Sequence, residues 1–436
     1  MPLETALLSE RRPTLLLISQ VYVPDPASVG QHLHDAAAAM AGRGYRVVVY
    51  AAARGYDDVS RRYSKRETRD GVEIRRLPLS SFGKASIPLR LAGAVMFLTQ
   101  AILRALLLRN LRGLLISTSP PIAPLAGVVL RTLKRVPITF WAMDINPDQA
   151  IALGEARPGS LPSRLFDWMD RLILRRAAAV IALDRYMAER LEAKARVGDR
   201  MHVIPPWPHE NHLKPIDHAD NPFRKEHDLE ERFVVMFSGN ISPSHPVTTM
   251  LEAARQLQAA GETDPLLMFI GGGLGKRQID QYILDHELVN VRTLPYQPLD
   301  RLKYSLSAAD VHLVSMGQQM VGIVHPCKGY GAMAVGRPIL ALGPAESHIG
   351  EICQQYEVGW QIDHGDVAGA VRLLRELRDM AHYQLNEIAA RAREAIDTRF
   401  SKHELCGRFC DVVENTMTPT VTPTRQPQQR ETTPVG

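Results

Sequence analysis

Cysteine is scarce in this chain of 436 residues, and its positions argue against two kinds of site. The four cysteines, at 327, 353, 406 and 410, form no CxxC pair. Zinc ribbons and disulfide-stapled domains depend on closely paired thiols, so the spacing favours neither. Cys406 and Cys410 lie four residues apart, on one face of a predicted helix, which indicates core packing in a reducing cytoplasm.

Long hydrophobic runs are also missing. The apolar stretch 91–103, bounded by Arg90 and Arg104, has only 13 residues, whereas a helix needs about 20 apolar residues to span a bilayer. We therefore expect no transmembrane helix. The first apolar run, 14–19, is short and no small-residue cleavage pattern follows it, so it predicts a strand and not a secretory signal.

Charge of either sign is not concentrated. The net charge is +5, with 23% charged and 45% hydrophobic residues, which is typical of a soluble globular protein. Such a balance permits contact with phosphates or anionic lipid, but it lacks the basic stripe of a dedicated nucleic-acid binder, so no nucleic-acid partner is expected. The length predicts two or three domains.

Strand and helix patterns alternate along the chain in two series. The first has apolar strand-like segments at 15–18, 46–51, 114–117, 137–142, 178–183 and 201–204, and the second at 233–237, 266–270, 289–294, 311–315 and 337–342. Alternating strands and helices predict an α/β fold of two doubly wound, Rossmann-like domains, with ligands at the carboxyl ends of the strands.

Breaks in this rhythm set the predicted domain limits. An N-terminal domain is expected at 13–205 and a C-terminal domain at 233–398, joined by a proline-rich linker at 206–232. A C-terminal helix is expected at 399–416. The segment 417–436 is rich in Thr, Pro, Gln and Arg and predicts a disordered tail.

The segment 322–338 carries the strongest functional signal. It indicates a loop, a short helix that ends at a glycine, and then a buried strand. Free backbone amides at a helix N-terminus attract anions through the helix dipole. Lys328 adds a full positive charge at this position, so the segment predicts an anion site.

Five motifs together resemble one enzyme family. They are Phe-Ser-Gly-Asn-Ile-Ser-Pro at 237–243, Gly-Gly-Gly at 271–273, Leu-Pro-Tyr-Gln-Pro at 294–298, Ser-Ala-Ala-Asp-Val at 307–311, and Pro-Cys-Lys to Gly-Arg-Pro at 326–338. With the two Rossmann-like domains, they resemble glycosyltransferase family 4, the retaining GT-B sugar transferases. The similarity is greatest to the branch that builds O-antigen, capsule and exopolysaccharide. It implies an interdomain cleft and a C-terminal helix that crosses back to the first domain.

The resemblance implies a nucleotide-diphosphate sugar as donor. Its diphosphate needs cations and backbone donors, which Lys328, Arg337, His245 and the amides near Gly239 and Gly322 could supply. The family commonly has an Arg and a Lys after the strand-end glycine. Here these positions are Asn240 and His245, which leaves Lys328 as the strongest cation.

A pair of family glutamates is also absent. These glutamates contact the ribose and the transferred sugar, and their positions correspond to Ile323 and Gly331. Tyr330 is expected to replace part of the lost contact, with Val324 beside it in the donor site. A degenerate, inactive family member is the alternative.

Three residues of the N-terminal domain are further candidates. The family places the loop after the first strand near the donor, which assigns Gly30 and Gln31 to the site; a simple tight turn is the alternative. Asp144 follows a buried strand and is the candidate for contact with the transferred sugar or acceptor, unless it only caps a turn. Asp148 is interpreted as a helix N-cap.

Two aromatic residues of the second series remain ambiguous. His325 could donate a hydrogen bond to the diphosphate, or it could be structural. Tyr296, after a predicted strand, could contact the nucleobase, or it could be a core tyrosine.

The segment 88–112 has an apolar body with basic residues at its edges. This composition favours docking at the inner-leaflet membrane surface, where each basic residue contributes about 1 kcal/mol. A buried helix with outward-reaching arginines is the alternative.

The resemblance thus implies a metal-independent, retaining transferase that uses a UDP-sugar and a lipid-linked or polysaccharide acceptor in the cytoplasm. No metal site or cofactor is expected, because no Asp-x-Asp or His/Asp cluster has ligand spacing. Two alternatives remain: a nucleotide-sugar epimerase on the same architecture, and a non-catalytic subunit that binds sugar nucleotides.

Overall fold

The computed structural model of this chain describes residues 12–25, 27–55, 60–80, 87–208 and 213–418. The predicted tail at 417–436 lies outside these residues except for its first two positions. Met417 is the last residue of a helix and is buried, so the ordered chain extends beyond the expected limit at 416.

The N-terminal domain alternates strands and helices. Its strands are β1 (Thr14–Ile18), β2 (Arg46–Ala52), β3 (Arg66–Arg69), β4 (Val72–Leu77), β5 (Leu111–Ser117), β6 (Ile138–Trp141), β7 (Ala179–Ala182) and β8 (Met201–Val203). Its helices are α1 (Ser28–Gly42), α2 (Ile87–Leu106), α3 (Ala123–Lys134), α4 (Asp148–Ala152), α5 (Leu161–Arg176) and α6 (Arg185–Lys194). A 3₁₀ turn covers Gly198–Arg200.

The C-terminal domain follows the short helix α7 (Pro222–Glu226). Its strands are β9 (Val234–Asn240), β10 (Leu266–Gly272), β11 (Val291–Leu294), β12 (Val311–Ser315), β13 (Ile339–Leu342) and β14 (Gly359–Ile362). The helices are α8 (Thr248–Ala259), α9 (Leu274–Asp285), α10 (Leu302–Ser307), α11 (Lys328–Ala334), α12 (His348–Tyr356), α13 (Val367–Asp379), α14 (His382–Thr398) and α15 (Lys402–Met417). Three 3₁₀ turns cover His218–Asp220, Leu299–Arg301 and Gln318–Met320.

Each domain is built on one sheet. The first has the strand order β3-β4-β2-β1-β5-β6-β7-β8, and the second β11-β10-β9-β12-β13-β14. All described pairings are parallel except that of β3 with β4. The strand order reverses between β1 and β5, and again between β9 and β12, and ligands bind at such switch points in open α/β sheets. The predicted fold of two doubly wound domains is confirmed.

Edge strands are where the structure differs from the sequence pattern. The β3–β4 hairpin and β14 carry polar residues within short segments, because an edge strand is only partly covered. A pattern search for continuous apolar runs misses such strands. The central strands, which are buried on both faces, have the expected bounds within a few residues.

The linker packs more closely than its composition suggests. Within the predicted 206–232 segment, Phe223 and Leu229 are fully buried against β9 and β10. Arg224 is also buried and donates hydrogen bonds to the carbonyl oxygens of Ala308 (2.6 Å) and Arg232 (2.7 Å). The segment therefore belongs in part to the C-terminal domain.

The C-terminal helix α15 returns to the first domain, as predicted. It packs against α1, β5, β6 and β7. The ring of Phe409 lies 4.4 Å from that of Trp141 on β6, and Trp207 stacks on Trp141 at 5.8 Å between centroids. Cys406 and Cys410 are buried on the same helix, which confirms the core interpretation of these thiols. Burial of large aromatic rings anchors this crossing.

Helix α2 is longer than the uncharged run that predicted it. Its 20 residues include Arg90 and Arg104, and the window Leu89–Leu106 is long and apolar enough to cross a membrane by length and composition. The expectation that this segment is too short to span is therefore wrong. However, Phe97 and Ala101 on one face are fully buried in the domain core, while Leu103 on another face, and Leu107 just after the helix, are exposed. The buried face agrees with the alternative of a buried helix, and membrane docking by the exposed face stays a prediction.

Candidate functional site

The candidate site lies at the switch point of the C-terminal sheet, where it faces the N-terminal domain. Gly239 lies at the carboxyl end of β9, and Lys328 begins helix α11 after the loop that follows β12. Gly239 adopts a φ of +132°, and an added Cβ there would lie 2.8 Å from Cε of Lys328. The lysine side chain therefore crosses directly over the end of β9. Only glycine leaves room for it at this φ.

Lys328 is a half-buried cation without a counter-ion. Within the described residues its ammonium group makes no ion pair or hydrogen bond, and its described contact is with the face of Phe237, at 5.1 Å from the ring centroid. Burial lowers the pKa of Lys328 to about 8. A desolvated, unpaired ammonium favours the binding of an anion, because the anion replaces the lost hydration.

Glycines open the strand ends beside this lysine. Gly271 has a φ of +144°, and an added Cβ would collide with the carbonyl oxygen of Gly239. Gly273 has a φ of +112° and lies against Asn240 and Ile241. The Gly-Gly-Gly motif thus brings two strand ends together and leads into helix α9. Exposed Asn240 lies at the rim of this region.

Asp144 approaches the same loop from the N-terminal domain. It follows β6, and the neighbouring Ile145 donates a backbone hydrogen bond to the carbonyl oxygen of Ile323 across the domain boundary (3.1 Å). Burial raises the pKa of Asp144 to about 6, and its carboxylate has no hydrogen-bond partner in the described part of the chain. Burial, together with the Asp144 charge, also raises the pKa of the Cys327 thiol to about 11. The tertiary structure therefore brings Asp144 and the Lys328 segment together.

Gly30 and Gln31 lie in the first turn of α1 and not in the preceding loop. An added Cβ on Gly30 would lie 3.0 Å from Cα of Tyr22, so the glycine permits the helix to pack on the loop after β1. Gln31 is half-buried beside it. Both residues lie near the carboxyl end of β1, at the switch point of the first sheet.

Gly322 packs directly against the backbone of the N-terminal domain. It has a φ of +71°, and an added Cβ would lie 2.6 Å from the carbonyl oxygen of Tyr186. Val324 and Ile323 are buried in the same loop. The loop before α11 therefore packs on the N-terminal domain, and the glycine serves this contact.

His325 is a structural residue, and its assignment to the donor site is wrong. Its Nδ1 donates to Oδ2 of Asp184 at 2.8 Å, and its Nε2 lies 2.9 Å from the hydroxyl of Tyr330. Both ring nitrogens are thus occupied by protein groups. The Asp184 carboxylate also caps α6 by accepting a hydrogen bond from the Met187 amide (2.8 Å).

Tyr330 does not replace the missing glutamate contact either. Its side chain is buried, its hydroxyl lies 2.7 Å from Nε2 of His348, and its ring packs 5.3 Å from that of Phe400. Gly331 lies on the face of α11 that is turned towards Leu306 of α10. The positions of both family glutamates therefore have packing roles here.

His245 cannot act as the fixed cation that was expected. Its Nδ1 donates to the carbonyl oxygen of Ser315 at 2.8 Å, and burial, followed by the nearby Lys328 charge, lowers its pKa to about 3. The ring is therefore neutral near pH 7, and its free Nε2 accepts and does not donate. A donated hydrogen bond to phosphate is excluded in this state.

Arg337 lies on the wrong side of the sheet for donor binding. It precedes β13, so it is at the amino end of a parallel strand, opposite the cleft. Its guanidinium group donates to the carbonyl oxygens of Ser307 (2.8 Å) and Ile216 (3.2 Å). It joins the linker to the C-terminal domain.

Tyr296 is not a core residue. Its side chain is 59% exposed, and an added Cβ on Gly272 would lie 3.0 Å from its ring. The ring therefore stands beside the carboxyl end of β10, where a planar base could stack on it. The core interpretation of Tyr296 is wrong.

One cluster of potential metal ligands could not be recognised from sequence spacing. It consists of Asp184, His325 and His348. One ligand atom from each lies within 4.8 Å of the others, which makes them the candidate metal-binding group within the described residues. They come from positions far apart in the chain: just before α6, before α11 and at the start of α12. A motif search finds ligands that are close in sequence, so it misses this group.

Asp148 is not an N-cap. Pro147 occupies the cap position, and Asp148 is the first residue of α4. Its carboxylate pairs with the ammonium group of Lys194 at 2.6 Å. Asp148 thereby links α4 to α6.

Family models match both halves of the chain. The model described as "Glycosyl transferase 4-like domain" matches residues 28–207, and that described as "Glycosyl transferases group 1" matches residues 219–395. The chain is 23% identical over 296 residues to the probable glycosyltransferase WbjE of Pseudomonas aeruginosa, covering 68% of this chain and 72% of that protein. It is 29% identical over 169 residues to the putative colanic acid biosynthesis glycosyltransferase WcaL of Salmonella typhimurium, covering 38% and 40%.

Solved structures share the fold. The structure of HepE from Anabaena in complex with UDP-glucose superposes with a TM-score of 0.68 at 15% sequence identity, and the match covers 92% of this chain and 99% of that one. The match therefore extends over both domains. The chain therefore belongs to glycosyltransferase family 4 and has its GT-B fold.

Proposed function

We propose that this glycosyltransferase transfers a sugar from a UDP-sugar, with retention of configuration, to a lipid-linked or polysaccharide acceptor in cell-surface polysaccharide synthesis. The transferred sugar is of the hexosyl or N-acetylhexosaminyl type, and the reaction takes place in the cytoplasm at the inner face of the membrane. The observation that carries the proposal is the unpaired Lys328 ammonium group at the carboxyl end of β9, approached by Asp144 from the other domain.

Charge complementarity supports a diphosphate beside Lys328. The leaving diphosphate gains negative charge as the bond to the sugar breaks, and a cation already desolvated in place stabilises this charge without reorganising water. The amides that open α11 add partial positive charge from the helix terminus. Exposed Tyr296 stands where it could stack on the base.

The proposed reaction is a front-face displacement. The acceptor hydroxyl attacks the anomeric carbon on the side from which the diphosphate leaves, the bond from that carbon to the diphosphate oxygen breaks, and the diphosphate takes the hydroxyl proton. The configuration at the anomeric carbon is retained. Asp144 orients the sugar or acceptor by accepting hydrogen bonds, and the protein contributes mainly positioning and charge stabilisation.

We propose that the reaction needs no metal ion. In the described ranges one group could hold a metal ion: Asp184, His325 and His348. Hydrogen bonds already join these residues, directly between Asp184 and His325 and through the Tyr330 hydroxyl between His325 and His348. Loading a metal would break these bonds. Transfer is therefore expected to be unchanged by chelators.

An apolar, basic surface supports a membrane-bound acceptor. Exposed apolar side chains on α2, α3 and α5, and on the turn that ends α2, are Leu89, Leu91, Val95, Met96, Leu103, Leu107, Val129, Leu133, Leu161, Leu165 and Trp168. Helix α3 packs against both α2 and α5, so these side chains share one side of the domain. We call them the apolar surface.

Charge along the α2 and α3 part of the apolar surface has one sign. No acidic residue occurs between Glu73 and Asp144, whereas the same stretch contains ten lysines and arginines. Anionic lipid attracts such a segment, and apolar side chains enter the interface. The distribution supports docking at the inner leaflet.

The relatives support the donor and the pathway. The bound UDP-glucose of HepE supports a UDP-sugar, and the description of WcaL supports polysaccharide synthesis. Both are transferred to this chain only as parts of the proposal.

Binding and turnover with a panel of nucleotide sugars test the proposal. Calorimetry with UDP, GDP, ADP and TDP should give binding for UDP, and incubation with UDP-sugars should give transfer or slow hydrolysis, unchanged by EDTA. Formation of a 2-epimer would indicate the epimerase alternative, and binding without turnover a non-catalytic subunit. A lack of binding by all four nucleotides would overturn the proposal.

A further inference from the structure

A second cavity opens beside the candidate site, between the two domains. Its volume is about 480 Å³, within the range of small-molecule sites. Helices α4, α5 and α6 form one wall, and Gln319 and Ile323 of the C-terminal domain form the other. Ile323 also accepts the backbone hydrogen bond of Ile145, next to Asp144. The cavity therefore lies next to the backbone segment that carries Asp144, the residue proposed to orient the acceptor.

The carboxylates of this cavity are already paired. Asp148 and Asp167 lie 2.6 Å and 3.0 Å from the ammonium group of Lys194, and Asp167 also accepts from Arg171 at 2.7 Å. Burial would lower the pKa of Lys194, but its bonds to Asp148 and its neighbours raise it above the ordinary value. The negative charges of Asp148 and Asp167 are therefore compensated by Lys194 and Arg171, so these carboxylates need no further ligand.

Two arginines of the cavity have guanidinium groups free to bind an anion. The Arg164 side chain makes no hydrogen bond or ion pair with the residues that the structure describes. Arg190 uses only its Nε, which donates to the carbonyl oxygen of Val321 at 2.7 Å. This bond fixes the guanidinium plane and leaves the two terminal nitrogens without a described partner. Both arginines line the same cavity, and forked guanidinium groups are suited to binding phosphate.

The position of Arg164 on α5 relates the cavity to the apolar surface. Leu161, Leu165 and Trp168 recur at helical spacing and are 82%, 55% and 53% exposed. Arg164 lies beside this stripe, and Asp167, one turn further, faces the cavity. A molecule that lies on the stripe could thus place a phosphate at Arg164.

We propose that this cavity binds the phosphate of a lipid-linked acceptor, with Arg164 and Arg190 as its ligands and the apolar stripe of α5 against the lipid chain. The inference rests on the proposed function and gives the acceptor a defined subsite. An acceptor phosphate held here directs the attached sugar towards Asp144. A free phosphorylated sugar presents the same phosphate chemistry but would make no use of the stripe.

Calorimetry with farnesyl diphosphate tests this subsite. The full chain is first saturated with UDP, so that the diphosphate of the probe cannot occupy the Lys328 site. We expect Arg164→Gln and Arg190→Gln to weaken farnesyl diphosphate binding at least tenfold. Arg175→Gln, in the exposed last turn of α5 and outside the cavity, serves as the matched control and should bind as the wild type does.

Further arms separate the possible outcomes. Trp168→Ser should weaken the binding of farnesyl diphosphate but not that of inorganic diphosphate. Equal affinity of the wild type for inorganic and farnesyl diphosphate would overturn the lipid assignment, and unchanged binding by Arg164→Gln would overturn the subsite. Arg164 is exposed, so this variant remains informative if Arg190→Gln fails to fold. UDP affinity is measured for every variant. If the wild type itself does not bind UDP, that result contradicts the proposed function and not the phosphate subsite.

Discussion

Asp184 of the N-terminal domain accepts a hydrogen bond from His325 of the C-terminal domain, with 2.8 Å between Oδ2 and Nδ1. Both side chains are almost fully buried, at 2% and 1% exposed. The bond continues through the Tyr330 hydroxyl to His348, whose pKa burial lowers to about 3. A chain of polar groups therefore joins the two domains beside the loop that positions Lys328.

Removal of this carboxylate should destabilise the protein. Asp184→Ala leaves His325 without its acceptor and α6 without its cap, and we expect a loss of about 3 kcal/mol in the free energy of unfolding. Urea unfolding measures the loss, and a double-mutant cycle with His325→Phe isolates the pair. A coupling energy below about 0.5 kcal/mol would contradict a specific bond.

The pair also has a pH dependence. Burial would raise the pKa of Asp184, but the hydrogen bond from His325 lowers it overall. A lowered carboxylate pKa stabilises the fold above the unfolded value of about 4, and this contribution is lost as the pH falls further.

UDP affinity should depend on the titration of Lys328. Because its pKa is about 8, the free protein carries this charge below that pH and loses it above, so the Kd for UDP should rise about tenfold per pH unit above pH 8. Lys328→Arg keeps the charge at all these pH values and should abolish the dependence. Calorimetry from pH 7 to pH 10 measures both proteins. A flat profile for the wild type would remove Lys328 from the phosphate site.

Asp144 should affect turnover more than donor binding. Asp144→Asn is expected to lower kcat about 100-fold, because a neutral amide cannot replace an ionised acceptor of hydrogen bonds, while the Kd for UDP stays within twofold. In the wild type, kcat should fall as the pH drops below about 6, where the carboxylate becomes protonated. Steady-state rates from pH 5 to pH 8 measure the effect. Unchanged kcat in the variant would assign Asp144 to a turn.

Membrane docking should require the exposed apolar side chains at the C-terminal end of α2 and in the turn that follows it. Leu103→Glu together with Leu107→Glu should reduce flotation with phosphatidylglycerol vesicles at least tenfold, because buried charge is costly at the interface. Both leucines are exposed, at 59% and 82%, so the fold should persist. Leu284→Glu on α9 of the other domain, also exposed, is the control. Equal flotation of all three proteins would contradict docking by this surface.

Arg337 should stabilise the protein without contributing to donor binding. Arg337→Ala removes two hydrogen bonds to buried carbonyl groups, and we expect a loss of about 2 kcal/mol in unfolding free energy. The Kd for UDP should stay within twofold of the wild type, in contrast to Lys328→Ala. Thermal unfolding and calorimetry on the same samples measure the two quantities. A large loss of UDP affinity in a folded Arg337→Ala protein would place this residue at the donor after all.

The elements that were predicted correctly share one physical property. Central strands such as β1, β9 and β12 are buried on both faces, so they appear in the sequence as continuous apolar runs. Gly239 at the end of β9 and Lys328 at the start of α11 were recognised from the sequence. The backbone freedom of a glycine and the charge of a lysine are local properties that do not depend on distant contacts. The β3–β4 hairpin was missed, since half of an edge strand is polar.

Misassigned site residues share the opposite property. Arg337 and His325 have the residue types that bind phosphate, but whether such a side chain faces a ligand depends on which strand end it occupies and which partners surround it. His325 is taken by Asp184, which lies 141 positions away, and Arg337 is taken by carbonyl groups of the linker. No local pattern contains this information.

The sequence alone determined the α/β class, the two doubly wound domains and the lysine at the helix start, because these follow from apolar periodicity, glycine positions and neighbouring residues. The tertiary structure decided the Asp184–His325 connection, the approach of Asp144 to the Lys328 loop and the cavity between α4, α5 and α6. These features depend on contacts between segments far apart in the chain, and such contacts exist only once the two sheets and the crossing helix α15 have packed.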